Sequence, residues 1–143
     1  MAKEIHIIDK TFVPYLGEDE ILSRVKELAL ELKTDYKEDT ILFLSVLNGS
    51  FMFTSDLMKS MDDEVELSFI KLSSYEETSS TGQVHELIGL NQNVQGKHVV
   101  ILEDIVDTGL TVQRVIKMLK MQNPRSVEVC TLLFKPDGFK GEH

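Results

Sequence analysis

Residues 99–111 read Val99-Val-Ile-Leu-Glu-Asp-Ile-Val-Asp-Thr-Gly-Leu-Thr111. Its opening residues, together with His98, make an apolar run of strand length, the pattern of a strand buried on both faces. Glu103 and Asp104 then bring two adjacent carboxylates to the strand end. Asp107-Thr108-Gly109 makes a turn, and Val112, Val115, Ile116 and Leu119 recur at helical spacing. Free backbone amides at such a helix start favour an anion, most commonly phosphate. Gly109 lets backbone approach closely without a Cβ, and Thr108 and Thr111 add hydroxyl donors. Ionised Glu103 and Asp104 only accept hydrogen bonds, so they suit sugar hydroxyls or a hydrated magnesium ion. A phosphate cradle beside a diol-and-metal site matches a ribose 5-phosphate. The plainer alternative makes Asp107 or Thr108 an ordinary N-cap and the acidic pair solvated strand-end charges.

Outward from this stretch, strands and helices alternate. Ile21, Val25, Leu28 and Leu32 predict a helix over 18–33, with Glu18, Asp19 and Glu20 in its first turn, where the helix dipole favours negative charge. Ile41-Leu-Phe-Leu-Ser-Val-Leu47 is a second doubly buried strand, running into the turn Asn48-Gly49-Ser50. A helix follows with Phe53, Leu57, Met58 and Met61 inward. Val65–Leu72 reads as another strand, and residues 73–82 as a long exposed loop of the kind that serves as a lid or binding loop. Val84–Leu90 reads as a returning strand. Val127–Phe134 is the last, and Lys135-Pro-Asp-Gly138 ends the regular pattern. This alternation predicts an α/β domain over 1–143 with a mostly parallel sheet covered on both faces. Ligands in such sheets bind at the carboxyl ends of strands, which selects 47–50 and 103–111.

Composition limits the alternatives. The 143 residues carry 15 Lys plus Arg against 24 Asp plus Glu, a formal charge of −9. That balance argues against broad electrostatic binding to nucleic acid or an anionic membrane. One cysteine, Cys130, rules out an intramolecular disulfide and a cysteine-cluster zinc site. The apolar runs are strand-sized, and the first ten residues lack a signal-peptide core. The expectation is a cytoplasmic domain. Neither GxxxxGKS/T nor GxGxxG occurs, which removes support for a P-loop ATPase or a dinucleotide fold.

Residues 99–111 closely resemble the phosphoribosyl pyrophosphate (PRPP) signature of type I phosphoribosyltransferases. Val46-Leu-Asn-Gly-Ser-Phe-Met-Phe53 resembles the pyrophosphate loop of the hypoxanthine and hypoxanthine-guanine enzymes. Lys71-Leu-Ser-Ser-Tyr75 with Ser80-Thr-Gly82 resembles their mobile catalytic loop, and Thr131-Leu-Leu-Phe-Lys-Pro136 the strand leading to their base site. The resemblance spans nearly the whole chain, in order, and implies the type I phosphoribosyltransferase fold.

It implies purine salvage: hypoxanthine, alternatively guanine, reacts with PRPP to give the nucleoside monophosphate and pyrophosphate. Glu103 and Asp104 would hold the ribose hydroxyls, directly or through Mg2+. Asp107 would be the catalytic acid/base at N7 of the purine. Thr108, Gly109 and Thr111 would bind the 5-phosphate. Leu47, Asn48 and Gly49 would meet pyrophosphate, with a non-proline cis peptide between Leu47 and Asn48. Ser74 and Tyr75 would close over the site, Tyr75 being otherwise an ordinary surface aromatic. The resemblance further implies a homo-oligomer, dimer or tetramer. Two departures stand out. Asn48 replaces a frequent Lys or Arg, and the family's C-terminal hood elements, with the base-reading lysine and stacking aromatic, have no counterpart before His143. Lys135 precedes that lysine's place. A PRPP- or nucleotide-sensing regulator without catalysis is the alternative function on the same fold.

Overall fold

The computed structural model describes residues 3–62, 64–73 and 86–141. Five strands form the main sheet in the order β5-β4-β3-β6-β7: β3 (Ile41–Val46), β4 (Glu66–Leu72), β5 (Glu86–Ile88), β6 (His98–Val106) and β7 (Ser126–Phe134). β4, β3, β6 and β7 run parallel, and only the edge strand β5 is antiparallel. The mostly parallel sheet is therefore as expected.

Its two central strands are the two doubly apolar runs. Every residue of β3 is buried, and Val99–Leu102 of β6 are fully buried. Because side chains alternate across a strand, each strand feeds two cores. Leu42, Leu44, Val99 and Ile101 pack with Val112, Val115, Ile116 and Leu119 of helix α3 (Leu110–Lys120). On the opposite face, Phe43, Val100 and Leu102 pack with Val25, Ala29 and Leu32 of α1 (Glu18–Tyr36) and Phe53 and Leu57 of α2 (Phe51–Ser60). At roughly 25 cal/mol per Å² of apolar area, these two cores are the main stabilising term.

Three local features depart from the sequence reading. α1 continues to Tyr36, whose ring meets His98 edge-to-face at 5.2 Å, so a tertiary contact carries the helix past the last residue of its apolar stripe. β6 does not stop at the acidic pair. It runs to Val106 because β7 pairs alongside it, Glu103 opposite Thr131 and Val106 opposite Phe134, beyond the end of β3. Residues 5–12 form a hairpin of β1 (Ile5–Ile7) and β2 (Lys10–Phe12). No turn signal marked it, because Ile8 takes the positive φ (55°) that glycine or asparagine usually supplies in such turns.

After β3 the chain crosses through α2 to β4 on one side, and β6 returns on the other side of β3. The switch point thus lies between the carboxyl ends of β3 and β6, where α/β sheets place ligands.

Candidate active site

The loops at that switch point are Leu47–Ser50 and Asp107–Gly109. They enclose a cavity of about 270 Å³ lined in part by Leu47, Gly49, Glu103, Asp107, Thr108 and Thr111. Gly109 also lines it. Seven of the expected site residues thus share one cleft. Asp104 is not part of that lining. Alternation along β6 sends Glu103 to the α3 side and Asp104 to the other, where its carboxylate lies against Gly49. Asn48 is exposed beside the cleft, and the Leu47–Asn48 peptide is cis. Ser74, Tyr75 and the rest of the expected lid lie outside the described residues.

Gly109, and neither Asp107 nor Thr108, takes the N-cap place of α3, with φ +80° and no side-chain cap. The ordinary capping alternative is therefore not what this loop does. The Oγ1 of Thr108 receives the Leu110 N–H only at 3.4 Å. The first helical hydrogen bond runs from Gln113 N–H to Gly109 O at 3.0 Å, so the Thr111 and Val112 amides precede the intrahelical ladder, as at any helix start. Their partial positive charge faces the cleft that Thr108 and Thr111 line.

Glu103 is buried, 7% exposed. Burial first, and the charge of Asp104 second, push its carboxyl from 4.5 up to about 8. Desolvation disfavours the charged form of a carboxyl, and a neighbouring like charge adds to this. A divalent cation beside the pair would reverse both effects. Glu103 on the cleft, with Asp104 behind the β3 loop, suits magnesium, which keeps several waters and takes only one or two carboxylates from protein. Among the described residues no cluster of three or more candidate ligands offers an all-protein cage.

The sequence did not show what braces the second loop. Residues 135–141 fold back over it. Lys135 N–H donates to Val106 O and Lys140 N–H to Thr108 O, each at 2.9 Å. Lys135 Nζ donates to Asp107 Oδ2 at 3.3 Å, both side chains being about half exposed. The ring of Phe139 lies on Gly109, where a Cβ would collide with it. Only the turn signal Lys135-Pro-Asp-Gly138 was visible beforehand, and a turn signal does not say where the following chain lands.

Comparison with known proteins agrees with this geometry. The phosphoribosyl transferase domain family matches residues 16–141. The hypoxanthine-guanine-xanthine phosphoribosyltransferase of Tritrichomonas foetus is 41% identical over 124 residues, covering 87% of this chain and 68% of its own. The hypoxanthine-guanine phosphoribosyltransferase of Bacillus subtilis is 36% identical, covering 96% of this chain and 75% of its own. A crystallised variant of the Trypanosoma cruzi hypoxanthine phosphoribosyltransferase, complexed with the product IMP, superposes with a TM-score of 0.80 at 34% identity, over 99% of this chain and 73% of its own. With the parallel sheet, the two loops at its switch point and these relatives in view, the chain belongs to the phosphoribosyl transferase family, in its hypoxanthine-guanine branch.

Proposed function

We propose that the chain carries out purine salvage, joining hypoxanthine, or guanine in its place, to the ribose of PRPP with release of pyrophosphate. The observation that carries this reading is the single cleft in which the β3 loop, buried Glu103 and the α3 start meet. A ribose with phosphates at both ends needs two anion-binding loops and hydroxyl acceptors, and the lining of this cleft supports that reading.

In this reading Thr108, Gly109 and Thr111 hold the 5-phosphate through hydroxyls and helix-start amides. Asn48 and Gly49 present backbone amides to pyrophosphate, whereas the Leu47 N–H expected to join them donates to Ile70 O at 2.9 Å, so Leu47 lines the site without offering its amide. Glu103 and Asp104 accept the ribose hydroxyls and would hold Mg2+. The ion's contribution is to offset charge that builds on the departing pyrophosphate. Displacement at the anomeric carbon breaks its bond to pyrophosphate and forms the bond to the purine nitrogen. Asp107, half exposed at the mouth of the cleft, handles the proton at N7.

Calorimetry with PRPP and magnesium tests the binding half. Saturable binding is expected, weakened about tenfold or more, 1.4 kcal/mol, by Glu103→Gln with Asp104→Asn. Equal affinity in the double variant rules out the acidic pair's role. Incorporation of labelled hypoxanthine into its nucleotide tests the chemical half. PRPP binding without incorporation would instead favour the regulator, for which no observation here speaks.

A further inference from the structure

Beneath the β3 loop lies a chain of three buried hydroxyls. Ser45 Oγ, next to the carboxyl end of the central strand β3, is 2.7 Å from Ser50 Oγ and 2.7 Å from Thr54 Oγ1. Ser50 Oγ donates to the carbonyl of Val46 at 2.5 Å. Ser45 and Ser50 are wholly inaccessible, and Thr54 is 2% exposed.

The proton inventory gives this chain a direction. A hydroxyl has one hydrogen to donate, and a carbonyl can only accept. Ser50 spends its hydrogen on Val46 O, so it must accept from Ser45. Ser45 has then spent its own, so it must accept from Thr54. The order is Thr54 to Ser45 to Ser50 to Val46 C=O, running from α2 through β3 and Ser50 to the last strand residue before the loop. Thr54 N–H also donates to Ser50 O at 2.8 Å, and Leu47 N–H to Ile70 O at 2.9 Å. Both ends of Leu47–Asn48–Gly49 are therefore held, and its last residue rests on Asp104.

Apolar side chains would fill this space more cheaply. Three buried hydroxyls among core residues are useful mainly for what they hold. If any link is removed, a buried hydroxyl loses its partner, at a cost of about 1–3 kcal/mol. The loop can relieve that cost by shifting.

We propose that Ser45 and Thr54 are positioning residues for the pyrophosphate end of PRPP, acting through Ser50 to set the Leu47–Gly49 loop against Asp104. This rests on the function proposed above and adds residues that touch no substrate. It separates the two ends of one ligand: the relay supports the β3 loop and makes no contact with the α3 start.

The test compares PRPP with ribose 5-phosphate, which lacks the pyrophosphate, by calorimetry in magnesium. Ser45→Ala and the near-isosteric Thr54→Val should each weaken PRPP about five- to tenfold and leave ribose 5-phosphate within about twofold. Thr54→Ser, which keeps the hydroxyl, should restore PRPP affinity. If Ser45→Ala does not fold, the Thr54 pair alone decides. PRPP affinity unchanged in Thr54→Val overturns the relay, as does equal weakening of both ligands, which would indicate general destabilisation. A wild-type chain that binds neither ligand overturns the site reading and the relay with it. That failure is distinct from one in which wild type and variants bind PRPP alike.

Discussion

Gly49 sits directly against the carboxylate of Asp104: a Cβ on Gly49 would lie 2.8 Å from Oδ2 and 2.9 Å from Oδ1. Sequence places these residues 55 positions apart, on loop and strand. Sheet pairing brings them together, since Ser45 is opposite Leu102 and the two strands run parallel. Either the loop or the carboxylate must yield to a methyl group. Gly49→Ala should weaken PRPP binding about tenfold or more while leaving the circular dichroism spectrum unchanged. Wild-type affinity by calorimetry would show that this close approach is incidental.

Gly109 is constrained twice, by its φ of +80° and by the ring of Phe139. Gly109→Ala should cost both terms in stability, and Phe139→Ala should relieve only the steric one. Left-handed backbone costs an L-residue roughly 1–2 kcal/mol. A double-mutant cycle in urea should therefore show coupling between the two sites and leave a residue of about that size for Gly109→Ala in the Phe139→Ala background. Purely additive effects would mean that the ring does not rest on this loop in solution.

The buried carboxyl of Glu103 sets a pH dependence. Its value in the fold, about 8, lies above the ordinary 4.5, so the folded chain holds this proton more tightly than the unfolded one. The associated stability is fully present below about 4.5 and is lost as pH rises through about 8. Glu103→Gln removes the titrating group. Across pH 5 to 9, urea midpoints without magnesium should fall for the wild type relative to Glu103→Gln, and parallel profiles would contradict a buried, proton-binding Glu103.

Asp107 lines the cleft but faces solvent and pairs with Lys135 at 3.3 Å. An exposed pair of this kind contributes about 0–1 kcal/mol. Asp107→Asn should thus leave the unfolding midpoint almost unchanged and PRPP affinity within about twofold. Turnover should fall about 100-fold or more, the usual contribution of a general acid/base. Steady-state kinetics beside PRPP calorimetry checks this, and a parallel loss of affinity would make Asp107 a binding group instead.

Local pattern alone determined much of this protein. Continuous apolar runs marked β3 and β6, helical spacing marked the buried faces of α1 and α3, and the turn residues after each run located both loops of the cleft. These signals are legible because burial period and turn chemistry act over a few residues. The tertiary structure decided what depends on register and on distant chain. It sent Glu103 into the cleft and Asp104 beneath Gly49, although the two are adjacent and chemically alike. It laid Phe139 on Gly109 and joined Thr54, Ser45 and Ser50 into one directed hydroxyl chain. A serine in an apolar strand reads as a blemish until its partners are known. Those partners come from another element, and the pairing of strands and packing of helices, which no local propensity encodes, put them within 2.7 Å.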